Sequence, residues 1–351
     1  MTIAAEAPSA PVTEFELPPD REAASPPERR GLARDGVRLL VARRERIEHR
    51  RFRDLPELLA PGDLAVVNTS ATLPAALGAR RGDGERTRVH VSTQLDDGQW
   101  VVEVRRHDGS GPDLTLGCGD RLLLAGGLAL TLAAPYPVPD AAVSRLWRAG
   151  VGTPPVSAVA YLRRHGEPIR YSHLAGRYPL SDHQTVYATQ PGSAEMASAG
   201  RPFTAPLLVR MLARGVTVAP VWLHAGVSSQ ELPEPPLPER FEVPAATARL
   251  VRSAQDAGRR VIAVGTTVAR ALESAAGATG ATAGWTDLVL GPGRPARVVT
   301  GLVTGLHAPH TSHLLLLEAV AGSALVGAAY AAALERRYLW HEFGDSTLLL
   351  P

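Results

Sequence analysis

Apolar and polar positions alternate in short runs between residues 72 and 150, and glycine-containing turns separate the runs. A two-residue period over about 4–8 residues predicts β-strands. The runs that show it lie at 88–93, 100–104, 121–124 and 128–132. Short strands at regular spacing are typical of a small β-barrel or sandwich. We therefore predict an inserted, barrel-like, all-β domain at residues 72–150.

Outside that stretch, apolar strands and amphipathic helices follow one another. Strands are predicted at 37–42, 64–67, 216–223 and 260–264, and helices at 207–214, 245–257, 267–274, 312–325 and 326–338. Alternating strands and helices form βα units and a parallel sheet. The predicted fold class is α/β, with a large, barrel-like and largely parallel α/β domain at 1–71 and 151–351 that carries the inserted β-barrel.

Composition and charge narrow the protein class. The 351 residues contain no apolar run of the roughly 18 residues that span a membrane. The first twelve residues lack the basic and apolar segments of a signal peptide, so we predict a cytoplasmic monomer without membrane contact. Cys118 is the one cysteine, which excludes intramolecular disulfides and cysteine-based metal clusters.

All of the basic side chains are arginines, because the sequence contains no lysine. The net charge is only +2, although the sequence pI is about 8.9. The arginine content follows a general compositional bias and is weak evidence for a nucleic-acid partner, whose affinity depends on phosphate contacts. A basic segment at 43–53 is the best candidate for a local phosphate-binding patch.

One candidate ligand site is the segment Gly265, Thr266 and Thr267, which joins an apolar strand to a helix. Free N–H groups at a helix start attract anions and polar ligand groups, and ligands of α/β proteins bind at the carboxyl ends of strands. The alternative is an ordinary glycine turn with a threonine cap. The glycine pattern is not a complete dinucleotide-binding fingerprint.

A second candidate is the segment Gly284, Trp285, Thr286 and Asp287. The carboxylate of Asp287 could orient a ribose hydroxyl or balance a cation, and the indole of Trp285 could stack on a base. A buried tryptophan followed by a turn-capping aspartate explains the same residues. The loop at 191–200 could line a pocket or cross the surface.

Four histidines form the third group: His224, His307, His310 and His313. His310 and His313 flank a predicted helix start, so a shared metal-binding face is one interpretation. The HExxH pattern of zinc proteases is absent. A role without metal is therefore favoured for these histidines.

Considered together, these stretches resemble one family, the S-adenosylmethionine:tRNA ribosyltransferase-isomerases that form epoxyqueuosine on tRNA. The resemblance runs from about residue 39 to 350 and depends on the order and spacing of its motifs. The matching segments are IEHRRFRDL at 47–55, PGDL at 61–64, QTVY at 184–187, AG at 199–200, LH at 223–224, FEVP at 241–244, VIAVGTT at 261–267, GWTD at 284–287, PG at 292–293, His307, Pro309 and GD at 344–345.

The resemblance implies a reaction as well as a fold. The ribosyl part of S-adenosylmethionine moves to the aminomethyl group of a 7-deazaguanine base in tRNA, the sugar isomerises to an epoxycyclopentane, and adenine and methionine leave. S-adenosylmethionine is thus a substrate, and no metal is implied. Because the sulfonium acidifies the neighbouring C5′ proton, the enzyme needs a base, a proton donor for adenine and a polar pocket.

The family pattern also implies roles for individual residues of this chain. His224 is expected to transfer a proton, and Glu239 or Glu242 to act as a base or as the sulfonium counter-charge. His307 is expected to contact a polar substrate group. The residues expected to hold the adenosyl group or the acceptor base are Gly265, Thr266, Thr267, Trp285, Thr286 and Asp287. Alternatively, His224 is a hydrogen-bonded core histidine and Glu242 a surface residue.

The chain departs from the family pattern where several polar groups are expected. The substituted positions are Thr69 for an acid, Ala71 for an arginine, Pro202 and Leu237 for histidines, and His310 for a lysine; a glycine-rich loop is altered at 225–230. Since one positioned acid–base group typically contributes about 10²–10⁴-fold in rate, we predict poor or no activity on deazaguanine-modified tRNA. Two alternatives to the tRNA enzyme remain: the same chemistry with a small-molecule acceptor, and a non-catalytic protein that binds S-adenosylmethionine or a nucleoside.

Overall fold

The computed structural model describes residues 10–152, 154–228, 234, 236–277 and 280–351. The two largest β-structures among these residues are a nine-stranded sheet and a closed six-stranded barrel. Residues 1–9, where no signal segment was expected, lie outside the described residues, as do Ser229 and Gln230 of the altered loop.

The strands, in chain order, are β1 Arg38–Arg43, β2 Arg46–Arg51, β3 Leu64–Asn68, β4 Ser70–Thr72, β5 Ala76–Arg81, β6 Arg86–Gln94, β7 Trp100–Arg106, β8 Arg121–Leu124, β9 Ala129–Pro135, β10 Leu146–Val151, β11 Gln190–Ser193, β12 Thr217–Leu223, β13 Glu239–Glu242, β14 Val261–Val264, β15 Ala283–Thr286, β16 Gly301–Gly305 and β17 Ser346–Leu350. The α-helices are α1 Leu55–Leu58, α2 Ala158–His165, α3 Ala205–Ala213, α4 Ala245–Asp256, α5 Thr266–Ala275, α6 Ser312–Ala321 and α7 Ser323–Glu335.

The large sheet has the strand order β15-β13-β12-β3-β14-β16-β17-β1-β2. Its central strands β3, β14 and β17 are buried along their whole length, as expected for strands covered on both faces. Neighbouring side chains alternate between the faces: Val66 belongs to the core cluster that includes helices α4 to α7, whereas Val67 belongs to the cluster that includes Phe52, Phe203 and Met211 on the opposite face.

The prediction of a largely parallel, barrel-like α/β domain needs a correction. The sheet is mixed, since β2, β13, β15 and β17 each form antiparallel pairs, and within the described residues it is open rather than closed. At one edge of the sheet, the antiparallel pairing follows from the length of the connection. Only Arg44 and Glu45 join β1 to β2, and so short a connection can link only antiparallel strands. The alternation of strands and helices in the sequence does not reveal such edge pairings.

The barrel has the strand order β10-β7-β6-β5-β8-β9 and closes on itself. Its strands run from Ala76 to Val151, in the stretch where short alternating runs predicted them. Trp100 is completely buried in its interior, and its indole N–H donates to the carbonyl oxygen of Val156 at 3.1 Å. The predictions of an α/β fold class and of a β-barrel are thus confirmed.

Two consecutive helices, α6 and α7, pack against the large sheet. They were predicted to meet near residue 325 but meet at Gly322, whose φ of +78° ends α6 in a conformation that favours glycine. In the described part of the chain, no single helix has the length and apolarity to cross a membrane; α6 and α7 meet that criterion only together, bent by 118°.

Candidate functional site

A cavity of about 410 Å³ lies at the carboxyl ends of β14 and β16. This is the edge of the sheet at which α/β proteins bind ligands. Its charged lining residues are Glu22, Arg145, Glu195, Glu234, Glu239, Arg270 and Glu342. Arginines pair with two of these five glutamates, Glu234 and Glu239, and acidic side chains outnumber arginines in the lining.

The turn between β14 and α5 forms one wall of the cavity. Gly265 has a φ of +98°, and its N–H donates to the carbonyl oxygen of Val303 at 2.8 Å. A side chain there would be strained, so glycine is required by the backbone. Helix α5 then begins at Thr266, and its first N–H groups lack acceptors within the helix. Gly265, Thr266 and Thr267 all line the cavity, where the sequence pattern predicted a ligand.

Thr267 is held in place from the neighbouring strand. Its hydroxyl oxygen accepts a hydrogen bond from the side-chain amide of Asn68 at 3.1 Å. The same amide group donates to the carbonyl oxygen of Leu223 at 2.9 Å, and its oxygen accepts from the N–H of Ser70 at 3.0 Å. Asn68 therefore joins β3, β12 and α5 behind the cavity wall.

Glu239 lines the cavity and forms an ion pair with Arg270. Its other oxygen accepts a hydrogen bond from the N–H of Gly226 at 3.0 Å. Burial raises the pKa of Glu239, and the charge of Arg270 opposes that shift. The guanidinium also donates to the carbonyl oxygens of Leu237, Thr286 and Leu288 at 3.0–3.2 Å. The carboxylate proposed as base or counter-charge is thus already paired with a cation.

His307 and His313 lie in the cavity wall as parallel stacked rings, with centroids 4.5 Å apart and an interplanar angle of 4°. The Nε2 atom of His307 lies 2.9 Å from the hydroxyl of Thr304. Burial lowers the pKa of His307 well below its usual value, helped by the charge of His313, and lowers that of His313 to about 4. Both rings are therefore neutral near pH 7. His310, by contrast, is exposed and has a φ of +62°.

His224 lies behind the cavity rather than in its lining. Its ring stacks on Trp222 at 4.6 Å, and its Nδ1 atom lies 2.8 Å from the hydroxyl of Ser70. Gly192 packs so closely on the ring that a β-carbon there would lie 2.5 Å from it. Burial, with a smaller contribution from Arg240, lowers the pKa of His224 to about 4. These contacts match the alternative of a hydrogen-bonded core histidine.

The remaining predicted site residues lie outside the cavity lining. The indole N–H of Trp285 donates to Asp96 of the barrel at 2.9 Å. The buried hydroxyl of Thr286 lies 2.6 Å from that of Ser274, and Asp287 is exposed. Glu242 is half-buried on β13, where it pairs with Trp222 and Ala283 of the adjacent strands. The predicted residues that the structure brings together in the cavity are Glu239, Gly265, Thr266, Thr267 and His307.

Sequence reasoning missed several cavity residues. Glu195 lies in the loop at 191–200, for which a pocket wall was one of two alternatives. Burial raises its pKa to about 8, although Ser228 donates to it from its N–H at 3.0 Å and from its hydroxyl at 2.7 Å. A half-buried glutamate in a loop carries no sequence signal of its own. Other missed residues of the lining include Glu22, His173, His341 and Glu342.

Four substituted family positions do not restore the expected groups, and of these Leu237 lines the cavity. The hydroxyl of Thr69 donates to the carbonyl oxygen of Val221 at 3.0 Å, and Ala71 lies in β4 opposite Pro191. Pro202 is buried. The backbone carbonyl of Leu237 accepts from Arg270, as described above. The side chains at these four positions therefore supply no acid–base group.

Comparison with known proteins gives a consistent picture. The profile of a family described as "Queuosine biosynthesis protein" matches residues 12–349. A protein of Heliobacterium modesticaldum named S-adenosylmethionine:tRNA ribosyltransferase-isomerase is 35% identical over 96% of this chain and 98% of its own. A protein of the same name from Thermotoga maritima is 33% identical over 96% and 98%. A crystal structure of S-adenosylmethionine tRNA ribosyltransferase from Thermotoga maritima is similar at a TM-score of 0.53 and 30% identity, over 96% of this chain and 99% of the other.

Proposed function

We propose, from the premise that this chain belongs to the queuosine biosynthesis protein family, that it is an S-adenosylmethionine:tRNA ribosyltransferase-isomerase, the activity by which its relatives are named. The observation that carries the proposal is the cavity at the carboxyl ends of β14 and β16, which is lined by Glu239, His307 and the turn at 265–267. The family predicted from the sequence motifs is confirmed, and with it the prediction of an enzyme in queuosine biosynthesis.

In this proposal S-adenosylmethionine occupies the cavity as the ribosyl donor. The adenosyl group lies against Gly265, Thr266 and Thr267, where free N–H groups and threonine hydroxyls meet polar ligand atoms. The sulfonium lies toward the carboxylate of Glu239, which the sequence predicted as a base or counter-charge. A cavity of about 410 Å³ is within the usual range for a ligand of this size.

Glu195 is the proposed proton donor for the leaving adenine. With a pKa of about 8, the carboxyl group is mostly protonated at pH 7, whereas an ordinary glutamate is ionised. Glu239 keeps its ion pair with Arg270 and supplies negative charge to the site without changing protonation. His307 contacts a polar group of the substrate as a neutral ring held by Thr304.

The substitutions at the family positions bear on the identity of the acceptor. Thr69 and Ala71 stand where the family has an acid and an arginine, which favours a small-molecule acceptor as the second candidate. Both candidates cleave the bond between adenine and ribose in S-adenosylmethionine. A protein that only binds S-adenosylmethionine does not.

Adenine release from S-adenosylmethionine, followed by chromatography with mass detection, tests the proposal. We expect release by the wild-type chain and about 10²-fold slower release by Glu195→Gln. Glu85→Gln, which changes an exposed glutamate in a barrel turn, is the matched control and should release adenine at the wild-type rate. No enzyme-dependent adenine, with or without tRNA, would contradict the proposed function.

A further inference from the structure

A second group of ligand-type side chains lies in the cavity wall, away from the β14–α5 turn. It consists of Glu22, His173 and His341, whose closest nitrogen and oxygen atoms all lie within 4.8 Å of one another. The Nε2 atom of His341 lies 3.0 Å from a carboxylate oxygen of Glu22. The Nε2 atom of His173 lies 3.1 Å from a carboxylate oxygen of Glu342. Two imidazoles thus each have a carboxylate at their Nε2 atom.

The two imidazole rings are stacked, with centroids 4.7 Å apart and an interplanar angle of 22°. His173 also stacks on the buried ring of Tyr171 at 5.8 Å. These contacts fix the orientation of His173 from both sides. The pair is therefore arranged before any ligand arrives.

The backbone around this cluster is equally well fixed. Glu22 and Trp340 form a β-bridge, in which the N–H of Trp340 donates to the carbonyl oxygen of Arg21 at 2.7 Å. This bridge holds the N-terminal segment beside His341. His341 itself has a φ of +70°, a conformation that side chains rarely adopt and that is often found at functional sites.

A buried imidazole–carboxylate pair points to a cation as its ligand. Within the described residues, the Nε2 atom of His173 and the Oε2 atom of Glu342 are buried and make no hydrogen bond of acceptable geometry, despite their 3.1 Å separation. The side chain of His173 is 7% exposed. Buried polar atoms of native proteins are almost always satisfied, and a cation between these two atoms would satisfy both.

We propose that His173, His341, Glu22 and Glu342 bind one Zn²⁺ ion in the wall of the cavity. Imidazole nitrogens and carboxylate oxygens are zinc ligands in proteins, and four of them complete a tetrahedral site. Neighbouring ligand atoms of such a site lie about 3.3 Å apart. The ligand atoms of Glu22, His173 and His341 lie within 4.8 Å of one another, and a carboxylate oxygen of Glu342 lies 3.1 Å from His173, so the side chains move together to close around the ion. The ion joins three chain segments that are distant in sequence and neutralises two of the cavity's glutamates.

This site is independent of the chemistry implied by the family resemblance, which needs no metal. None of its four residues is in the matching motifs. It also differs from the metal interpretation of the sequence, which concerned His310 and His313. In the part of the chain covered by the structure, His313 stacks on His307 instead, and His310 is exposed.

The test is zinc binding by the full-length, untagged chain after treatment with EDTA. Isothermal titration with ZnSO₄ and elemental analysis of the dialysed protein should give one Zn²⁺ per chain. His173→Ala combined with His341→Ala should abolish this binding, and Glu22→Gln should weaken it by about tenfold or more. His107→Ala, which removes an exposed histidine of the barrel, should leave both stoichiometry and affinity unchanged.

Zinc binding is measured without S-adenosylmethionine or tRNA, so its result does not depend on the proposed enzyme activity. Circular dichroism shows whether each variant is folded, and zinc should raise the Tm of the wild type but not that of the double variant. If the double variant does not fold, the zinc affinity of Glu22→Gln alone decides whether the cluster binds the ion. The proposal is overturned if the wild type binds no zinc, or if the folded cluster variants bind it as tightly as His107→Ala.

Discussion

The ion pair between Glu239 and Arg270 allows a structural role of Glu239 to be distinguished from a catalytic one. Their side chains are 13% and 6% exposed, respectively. Glu239→Gln removes the negative charge but keeps an oxygen that can accept from the N–H of Gly226. The change therefore leaves the cation of Arg270 buried without its counter-charge.

The expected loss of stability follows from this geometry. Breaking a buried ion pair by removing one partner typically costs about 3–5 kcal/mol. Arg270 keeps three carbonyl acceptors, on Leu237, Thr286 and Leu288, so the lower limit of about 3 kcal/mol is expected. That is a large fraction of the roughly 5–15 kcal/mol by which a native protein is stable.

Urea unfolding followed by circular dichroism measures this effect. Glu57→Gln is the matched control, because Glu57 forms an ion pair with Arg210 in which both side chains are about half exposed, at 56% and 47%. Exposed pairs contribute about 0–1 kcal/mol, so the control should unfold at nearly the wild-type urea concentration. Unchanged stability of Glu239→Gln together with loss of adenine release would refute this reasoning and make Glu239 a catalytic residue.

Three further predictions concern residues in the cavity wall and behind it. The pKa of His224 falls from 6.5 in the unfolded chain to about 4 in the folded one, so the unfolded state binds more protons between pH 4 and 6.5. The folded state should therefore lose stability as the pH falls from 6.5 toward 4, by up to about 1.4 kcal/mol per pKa unit. Urea unfolding at a series of pH values should show a weaker pH dependence for His224→Gln than for the wild type. Gly192→Ala should destabilise the fold by about 1–3 kcal/mol, since its β-carbon meets the His224 ring at 2.5 Å, whereas Gly78→Ala, with no atom within 4 Å of the added carbon, should stay within about 0.5 kcal/mol. Gly265→Ala should cost about 1 kcal/mol or more through its φ of +98° and should weaken S-adenosylmethionine binding in calorimetry; unchanged affinity would count against the β14–α5 turn as the adenosyl site.

Local patterns explain what the sequence could predict. The strand, glycine and threonines at 261–267 are contiguous, so their place at a sheet edge follows from the chain itself. The short strands of the barrel show their two-residue period directly. The mixed sheet was missed because the antiparallel pairing of β16 with β17 spans two helices, and no local pattern specifies it.

Tertiary contacts explain what the sequence could not predict. His224 precedes a loop and follows a strand, as a catalytic histidine would, yet Trp222 and Gly192 enclose its ring behind the cavity. Glu22 and His341 are 319 residues apart and meet beside the bridge between Glu22 and Trp340. Burial, which gives Glu195 its raised pKa, is likewise a property of the folded chain.

The most direct test of the central claim is mass spectrometry of tRNA after incubation with the enzyme and S-adenosylmethionine labelled with ¹³C in its ribose. The tRNA must carry the aminomethyl-deazaguanine base. The account predicts that the labelled ribosyl carbons enter the tRNA, more slowly than with the Thermotoga maritima relative, because the groups expected at Thr69, Ala71, Pro202 and Leu237 are missing. Label that never enters the tRNA, under conditions in which the relative transfers it, would contradict the assignment of tRNA as acceptor.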